Sequence, residues 1–292
     1  MDNTRASALM VLAMAFFAVE DMFVKFLSGR LPVGQILAVT GALGALIFWL
    51  LLRRTGGRLL TPALFHPLVL TRTLGEVIGT LGFVMAVATT DLTVAAAIIQ
   101  ALPLAIVLGA ALVLGETIGW RRWLAVAVGL AGVMMIIKPG LAGFDANSLW
   151  ALLSVVGLAL RDVATRRVPR DIPSDQLSTL AWAALVPTGL AVLAGFGTPW
   201  RAMAATDAGL VAGLLGFGVI GYMMLVSATR VGDAGVIAPF RYARLVFALA
   251  IGVLVFGECP DAWTLTGAAI IAAAGGFSMW REVQAARRAA RS

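Results

Sequence analysis

Runs of about twenty consecutive apolar residues, each long enough to cross about 30 Å of hydrocarbon, recur along the whole chain between short polar gaps. The spacing predicts spans over 6–27, 33–52, 67–88, 92–114 and 121–138, then 147–167, 176–196, 207–229, 234–256 and 262–281. In lipid every backbone N–H and C=O must be satisfied internally, and a run of this length does so as an α-helix. Composition agrees. Hydrophobic residues make up 61% of the chain and charged residues 13%, against about 45–50% and about 25% in soluble domains. Ten helices of about 20 residues nearly fill the 292 residues and leave no room for a separate soluble domain. The expected fold is an all-α integral membrane protein with ten transmembrane helices. Its tightest turns are expected at Thr90-Asp91 and Gly232-Asp233.

The net charge of +7 and pI near 10.9 raise the question of nucleic acid. Binding it would need arginines gathered with aromatics on one polar face; here they sit in the gaps between apolar runs. Those gaps test orientation. With the amino terminus inside, the cytoplasmic segments hold fourteen arginines: Arg5, Arg53, Arg54, Arg58, Arg121, Arg122, Arg166, Arg167, Arg170, Arg230, Arg281, Arg287, Arg288 and Arg291. The other side holds only Arg30, Lys138 and Arg201. An excess of basic residues on one side marks the cytoplasm, so both termini are expected there, in a bacterial-type inner membrane. The first run carries Glu20 and Asp21 near its end and lacks a small-residue cleavage site, so it reads as a retained helix rather than a signal peptide. With one cysteine, Cys259, no intramolecular disulfide is possible, and with one histidine, His66, a metal site has no ligand set.

The second half reprises the first at an offset of 141 to 142 residues. Ser7 lies opposite Ser148, Asp21 opposite Asp162, Lys25 opposite Arg166, Pro32 opposite Pro173, Asp91 opposite Asp233, and Leu114-Gly115-Glu116 opposite Phe256-Gly257-Glu258. The common offset, rather than any one match, is the signal. It divides the chain into a first five-helix repeat, 1–140, and a second, 141–292, which ends in a short basic tail. Five is odd, so the two repeats must insert with opposite orientation. Inverted repeats of this kind recur in secondary transporters, with the site near mid-membrane at the repeat interface.

The five-plus-five repeat, the short turn between spans three and four, and the two segments 114–116 and 256–258 ahead of small-residue helices carry a resemblance. The chain resembles the EamA-type drug/metabolite transporters, most closely bacterial amino-acid exporters of the YddG kind, over about residues 6–281. The resemblance implies ten helices, export across the inner membrane, and a central cavity walled mainly by spans three, four, eight and nine.

Ionisable residues inside spans cost at least about 2.5–3.5 kcal/mol to insert, so each needs a reason. Glu76 lies about 15 Å into span three at 1.5 Å per residue, beside Gly75, Gly79 and Gly82. Either it lines a cavity, for a substrate amine or a proton, or it pairs with Arg72 while Gly75 and Gly79 form a packing face. Arg241 is the other midplane charge, following Pro239 and Phe240 and preceding Tyr242 and Arg244. Pro239 removes a backbone donor and loosens the helix there. A guanidinium in a wet cavity seats a carboxylate; the alternatives are a salt bridge to Glu76, or snorkelling in the case of Arg244. Gln100, with Pro103 nearby, offers a ligand contact or a helix–helix hydrogen bond. Span eight brings Gly213, Gly216, Gly218 and Gly221 ahead of Tyr222, room for close packing or for a cavity. Tyr222, Phe83 and Trp182 are candidate cavity aromatics. The substrate-binding candidates are therefore Glu76, Gly79, Phe83, Gln100, Trp182, Tyr222, Phe240, Arg241, Tyr242 and Arg244. Asp21 with Lys25, and Asp162 with Arg166, are spaced as self-neutralising i,i+4 pairs, and Glu116 and Glu258 read as turn or capping residues.

No phosphate-binding G-x-x-x-x-G-K-[ST] sequence occurs, so the chain does not itself hydrolyse nucleotide. An intramembrane enzyme would need clustered His, Asp or Ser/Lys groups at catalytic spacing, and a purely structural protein would have little use for midplane Glu76 and Arg241. The expected function is a secondary exporter of amino acids or similar small zwitterions, working by alternating access without a cofactor. Import or exchange of another metabolite is the alternative.

Overall fold

A computed structural model of the protein describes residues 3–115, 119–140, 144–169, 171–231 and 238–289, and these form helices and turns without a strand. The first half contributes α1 (Asn3–Ser28), α2 (Val33–Arg54), α3 (Pro67–Thr89), α4 (Leu92–Ile99), α5 (Leu102–Leu114) and α6 (Trp120–Ile137). The second contributes α7 (Ser148–Thr165), α8 (Ser174–Gly195), α9 (Ala205–Val231), α10 (Ala243–Phe256) and α11 (Ala262–Ala289). Short 3₁₀ turns, η1 (Pro62–Phe65) and η2 (Ala238–Tyr242), precede α3 and α10.

Among the described residues seven helical stretches are long and apolar enough to cross a membrane, one of them running through α4 and α5 as Leu92–Val113. Two shorter apolar stretches lie in α6 and α11. The protein is a multi-pass membrane protein. Large side chains such as Leu254, which is 83% exposed, and Leu112 cover its outer face, where lipid rather than water is the solvent. The last helix extends past the predicted end at 281 to Ala289. The turn predicted at Gly232-Asp233, the first residues of the span predicted over 234–256, and Glu116 lie outside the described residues.

Helices of one half pack against helices of the other: α1 on α9, α3 on α7, α2 on α8, α6 on α11 and α4 on α10. Without a hydrophobic drive between helices in lipid, close contact needs small residues at the crossing. A Cβ added to Gly157 of α7 would strike the backbone of Gly79 and Gly75 in α3, and one on Gly82 would lie 2.7 Å from the Ser154 amide nitrogen. The α2–α8 crossing sets Gly34 against the carbonyl of Gly189, and the α6–α11 crossing sets Gly132 against that of Gly267. The predicted packing face of Gly75 and Gly79 is thus the seat of α7. Two of the buried glutamines repeat at an interval of 141: Gln35 of α2 bonds the backbone N–H and carbonyl of Arg201 after α8, and Gln176 of α8 bonds the Leu59 carbonyl and Thr61 hydroxyl after α2. Gly115 and Gly257, at the ends of α5 and α10, have φ of 69° and 68°, a left-handed cap that glycine adopts without strain.

Candidate functional site

A cavity of about 530 Å³ lies between the halves. Its wall uses residues 14–20 of α1, 44–48 of α2, 72–76 of α3, 158–165 of α7, 178–182 of α8 and 215–225 of α9. Except for 14–20, at the middle of α1, these segments lie toward one end of the bundle, where α2, α7 and α9 finish and α3 and α8 start. Spans one, two, six and seven therefore join the wall expected from spans three, four, eight and nine.

At the deep end of the cavity two interrupted helices meet. Span four, predicted as one helix over 92–114, breaks between α4 and α5. Gln100 and Ala101 keep right-handed φ with ψ near −9°, and Pro103 has no N–H to give to the carbonyl of Ile99, four residues earlier. At the same position of the second half, η2 leads through Tyr242 into α10. The Gln100 side-chain amide donates to the Arg241 carbonyl across this junction at 3.5 Å. Broken helices facing a cavity at membrane depth free backbone groups and side chains for a ligand.

Glu76 and Arg241 both line the cavity, but neither Arg72 nor Arg241 is the ion partner of Glu76. Arg161 of α7 is, at 3.1 Å, and its Nε also donates to Asp162 at 2.7 Å. The glycine face of α3 brings the α7 backbone so close that Arg161 arrives beside Glu76, while Arg72 turns to donate to the Leu177 carbonyl at 3.0 Å. The buried Nε of Arg72 makes no hydrogen bond among the described residues. Asp21 does not pair with Lys25 either. It receives a two-pronged contact from Arg244, Nη2 to Oδ1 at 2.6 Å and Nε to Oδ2 at 3.0 Å, and Lys25 donates instead to the Thr90 carbonyl. Arg244 lines the cavity and lies over the rings of Phe17 and Phe83, at 5.5 and 5.7 Å. The Arg241 guanidinium makes no hydrogen bond or ion pair among the described residues.

Gln100, Trp182 and Tyr222 also line the cavity, Tyr222 with its ring edge-on to Phe48 at 6.4 Å. Four candidates stand outside the lining. Gly79 is buried against Leu158 of α7. Phe83 packs against the main core and under Arg244. Phe240 is half-exposed elsewhere. Tyr242 turns away to α11, where its hydroxyl occupies the space a side chain on Gly275 would need and finds no hydrogen-bond partner among the described residues. Sequence reasoning missed Arg161 and Glu20. Both are ionisable residues inside predicted spans, and 141 residues apart they occupy equivalent places in the two halves. That repeat position was the signal.

The opposite end of the bundle is closed by contacts between the halves. Glu258 accepts from the Leu92 and Thr93 amides at 2.6 and 2.9 Å and from the Thr93 hydroxyl at 2.7 Å. The expected capping residue therefore caps a helix of the other repeat. Arg30 pairs with Asp207 and donates to Thr206, Gln35 holds Arg201, and Lys138 pairs with Asp261. Asp261 precedes α11 outside the apolar stretch. The Lys138 hydrogen bond, then the Thr264 amide at 2.8 Å, hold its carboxyl down at about 2.

Residues 4–138 and again 147–279 match the EamA-like transporter family. A riboflavin transporter of Rhizobium johnstonii is 31% identical over 76% of this chain and 72% of its own length. An S-adenosylmethionine uptake transporter of Rickettsia prowazekii is 29% identical over 65% of this chain and 64% of its own. The pseudopaline exporter CntI of Pseudomonas aeruginosa is 29% identical over 91% of this chain and 93% of its own. A solved crystal structure, 19% identical, superposes with a TM-score of 0.59 over 94% of this chain and 98% of that one, a likeness of fold. These relatives are transporters rather than enzymes. With two copies of the family pattern covering most of its length, the chain belongs to the EamA-like transporter family.

Proposed function

We propose that this protein is a secondary transporter that exports amino acids or similar small zwitterionic metabolites across a bacterial inner membrane by alternating access. In this reading the ten helices form two inverted repeats, with both termini in the cytoplasm. The observation that carries the substrate class is Arg241, a guanidinium at a helix break in the cavity with no partner among the described residues. A substrate carboxylate leaving water loses costly hydration, and a planar guanidinium offsets that with two parallel hydrogen bonds. The proposed orientation puts the cavity toward the cytoplasm and the latched end toward the far side. This supports loading from inside.

The cavity volume lies within the range of about 300–1,000 Å³ that holds drug-sized ligands, so amino acids with bulky side chains or conjugates fit the proposal. A second reading, uptake or exchange, has support from the S-adenosylmethionine uptake transporters among the relatives. Purified protein in liposomes, loaded with labelled amino acids and assayed in both directions, decides between them. Transport is expected to fall in the order wild type, Arg241→Lys, Arg241→Gln, because lysine keeps the charge but loses the planar fork. Carboxyl-amidated substrates should show little difference among the three. Equal transport of free amino acids by wild type and Arg241→Gln would overturn the carboxylate seat.

A further inference from the structure

The charges around the cavity do not cancel pair by pair. Four guanidiniums line it, those of Arg72, Arg161, Arg241 and Arg244. Glu20, Glu76 and Asp162 line it too, with Asp21 behind Arg244. Geometry commits Arg161 to Glu76 and Asp162, and Arg244 to Asp21. Glu20 is left over, a cavity carboxylate with no hydrogen bond or ion pair among the described residues. The wall opposite it is cut back: a Cβ on Gly218 of α9 would lie 2.8 Å from Glu20 Oε1. Its neighbour Asp21 adds negative charge on the same turn of α1, and Arg244, whose Nε–Nη2 edge is held by both Asp21 oxygens, lies in electrostatic reach of Glu20 but makes no ion pair with it. A carboxylate kept without a direct ion pair in a low-dielectric wall is costly. Such a group suits a cation that arrives with the ligand.

We propose that Glu20 is the cation subsite of this cavity and takes the ammonium group of the substrate, while Arg241 takes its carboxylate. Arg72 also lacks a carboxylate partner among the described residues but is held by the Leu177 carbonyl, so Glu20 and Arg241 form the negative and positive halves of a template for a zwitterion. This rests on the reading of the cavity given above, and it sharpens the substrate class. A free α-ammonium group is required, and metabolites carrying a carboxylate alone bind weakly, since nothing in them answers Glu20.

The test measures binding to the purified full-length protein in detergent. The probes are L-phenylalanine, L-leucine and L-methionine, each beside its N-acetyl and its carboxamide form. Wild type should bind the free amino acids tightest. Glu20→Gln should weaken them about tenfold or more, the loss of one charge-assisted hydrogen bond, and leave the N-acetyl forms within about twofold. Gly218→Ala keeps Glu20 but crowds its carboxylate, so it should shift binding in the same direction and serves if Glu20→Gln does not fold. Arg241→Gln should do the reverse, weakening the N-acetyl forms and sparing the carboxamides. Equal loss for free and N-acetyl forms in Glu20→Gln, or no loss, overturns the cation subsite and leaves the Arg241 seat standing. Failure of wild type to bind any free amino acid overturns both.

Discussion

Arg161 shows how a part-buried charge is stabilised by numbers rather than by a single partner. Its guanidinium serves Glu76 and Asp162 together, so removing either carboxylate leaves the other in place. Removing Arg161 leaves two adjacent carboxylates with no guanidinium between them. Breaking a fully buried pair costs about 3–5 kcal/mol; Glu76 and Asp162 are part-buried, at 18% and 33% exposure, so the loss here is smaller. Arg161→Gln is therefore expected to lower the unfolding temperature in detergent well below that of Glu76→Gln. The double variant Glu76→Gln with Arg161→Gln should regain part of the loss. Equal melting temperatures for the two single variants would show that Glu76 and Asp162 find other partners. That Glu76 and Arg241 are special was legible from their depth in apolar runs. The partner of Glu76 was not, since Arg72 at i−4 and Arg161 on another helix are equally arginine in one dimension.

Among the elements, the α3–α7 crossing does most to place the site. Gly75, Gly79 and Gly82 meet Gly157 and Ser154 backbone to backbone, with the Ser154 hydroxyl donating to the Gly79 carbonyl at 2.7 Å. Gly157→Ala would insert a methyl into that contact. Overpacking of this kind costs about 1–3 kcal/mol, and the separated helices would draw Arg161 from Glu76. We expect lower thermal stability and a larger fall in transport than Gly216→Ala causes, where an added methyl meets nothing within 4 Å. Equal effects of the two would mean that the crossing does not set the site. The broken fourth span is a second lesson. Pro103 was visible, but an apolar run that spans the membrane reads as one helix whether or not it breaks. The break shows only where Gln100 meets Arg241 of the other repeat.

The whole molecule is asymmetric along its axis, with the cavity toward one end and polar contacts between halves at the other. Lys138–Asp261 belongs to that latch. A carboxyl held at about 2 in the folded protein, against an ordinary 3.8, contributes stability that is fully present above the ordinary value and is lost as pH falls through the lower one. Wild type should therefore melt above Asp261→Asn at pH 6, and the gap should close between about pH 4 and pH 2. A gap that stays constant over that range would assign the effect to something other than this ion pair. The contribution is modest, since Asp261 is 46% exposed in this pair and exposed pairs are screened.

The order and length of the apolar runs, the duplication and the membrane class follow from the sequence alone, because hydrophobic length against bilayer thickness is a one-dimensional property. The doubled pattern also identified the family. Tertiary structure alone decided which charges pair with each other and which are left unpaired among the described residues. A carboxylate such as Asp21, one turn from Lys25, is answered instead by Arg244, 223 residues away. Pairing inside the membrane follows helix crossing, and crossing is set by where glycines let two backbones touch. Glu20 and Arg161 occupy the same place in their repeats, yet among the described residues one makes no ion pair and the other is doubly paired, because α1 meets Gly218 of α9 where α7 meets the glycine face and Glu76 of α3.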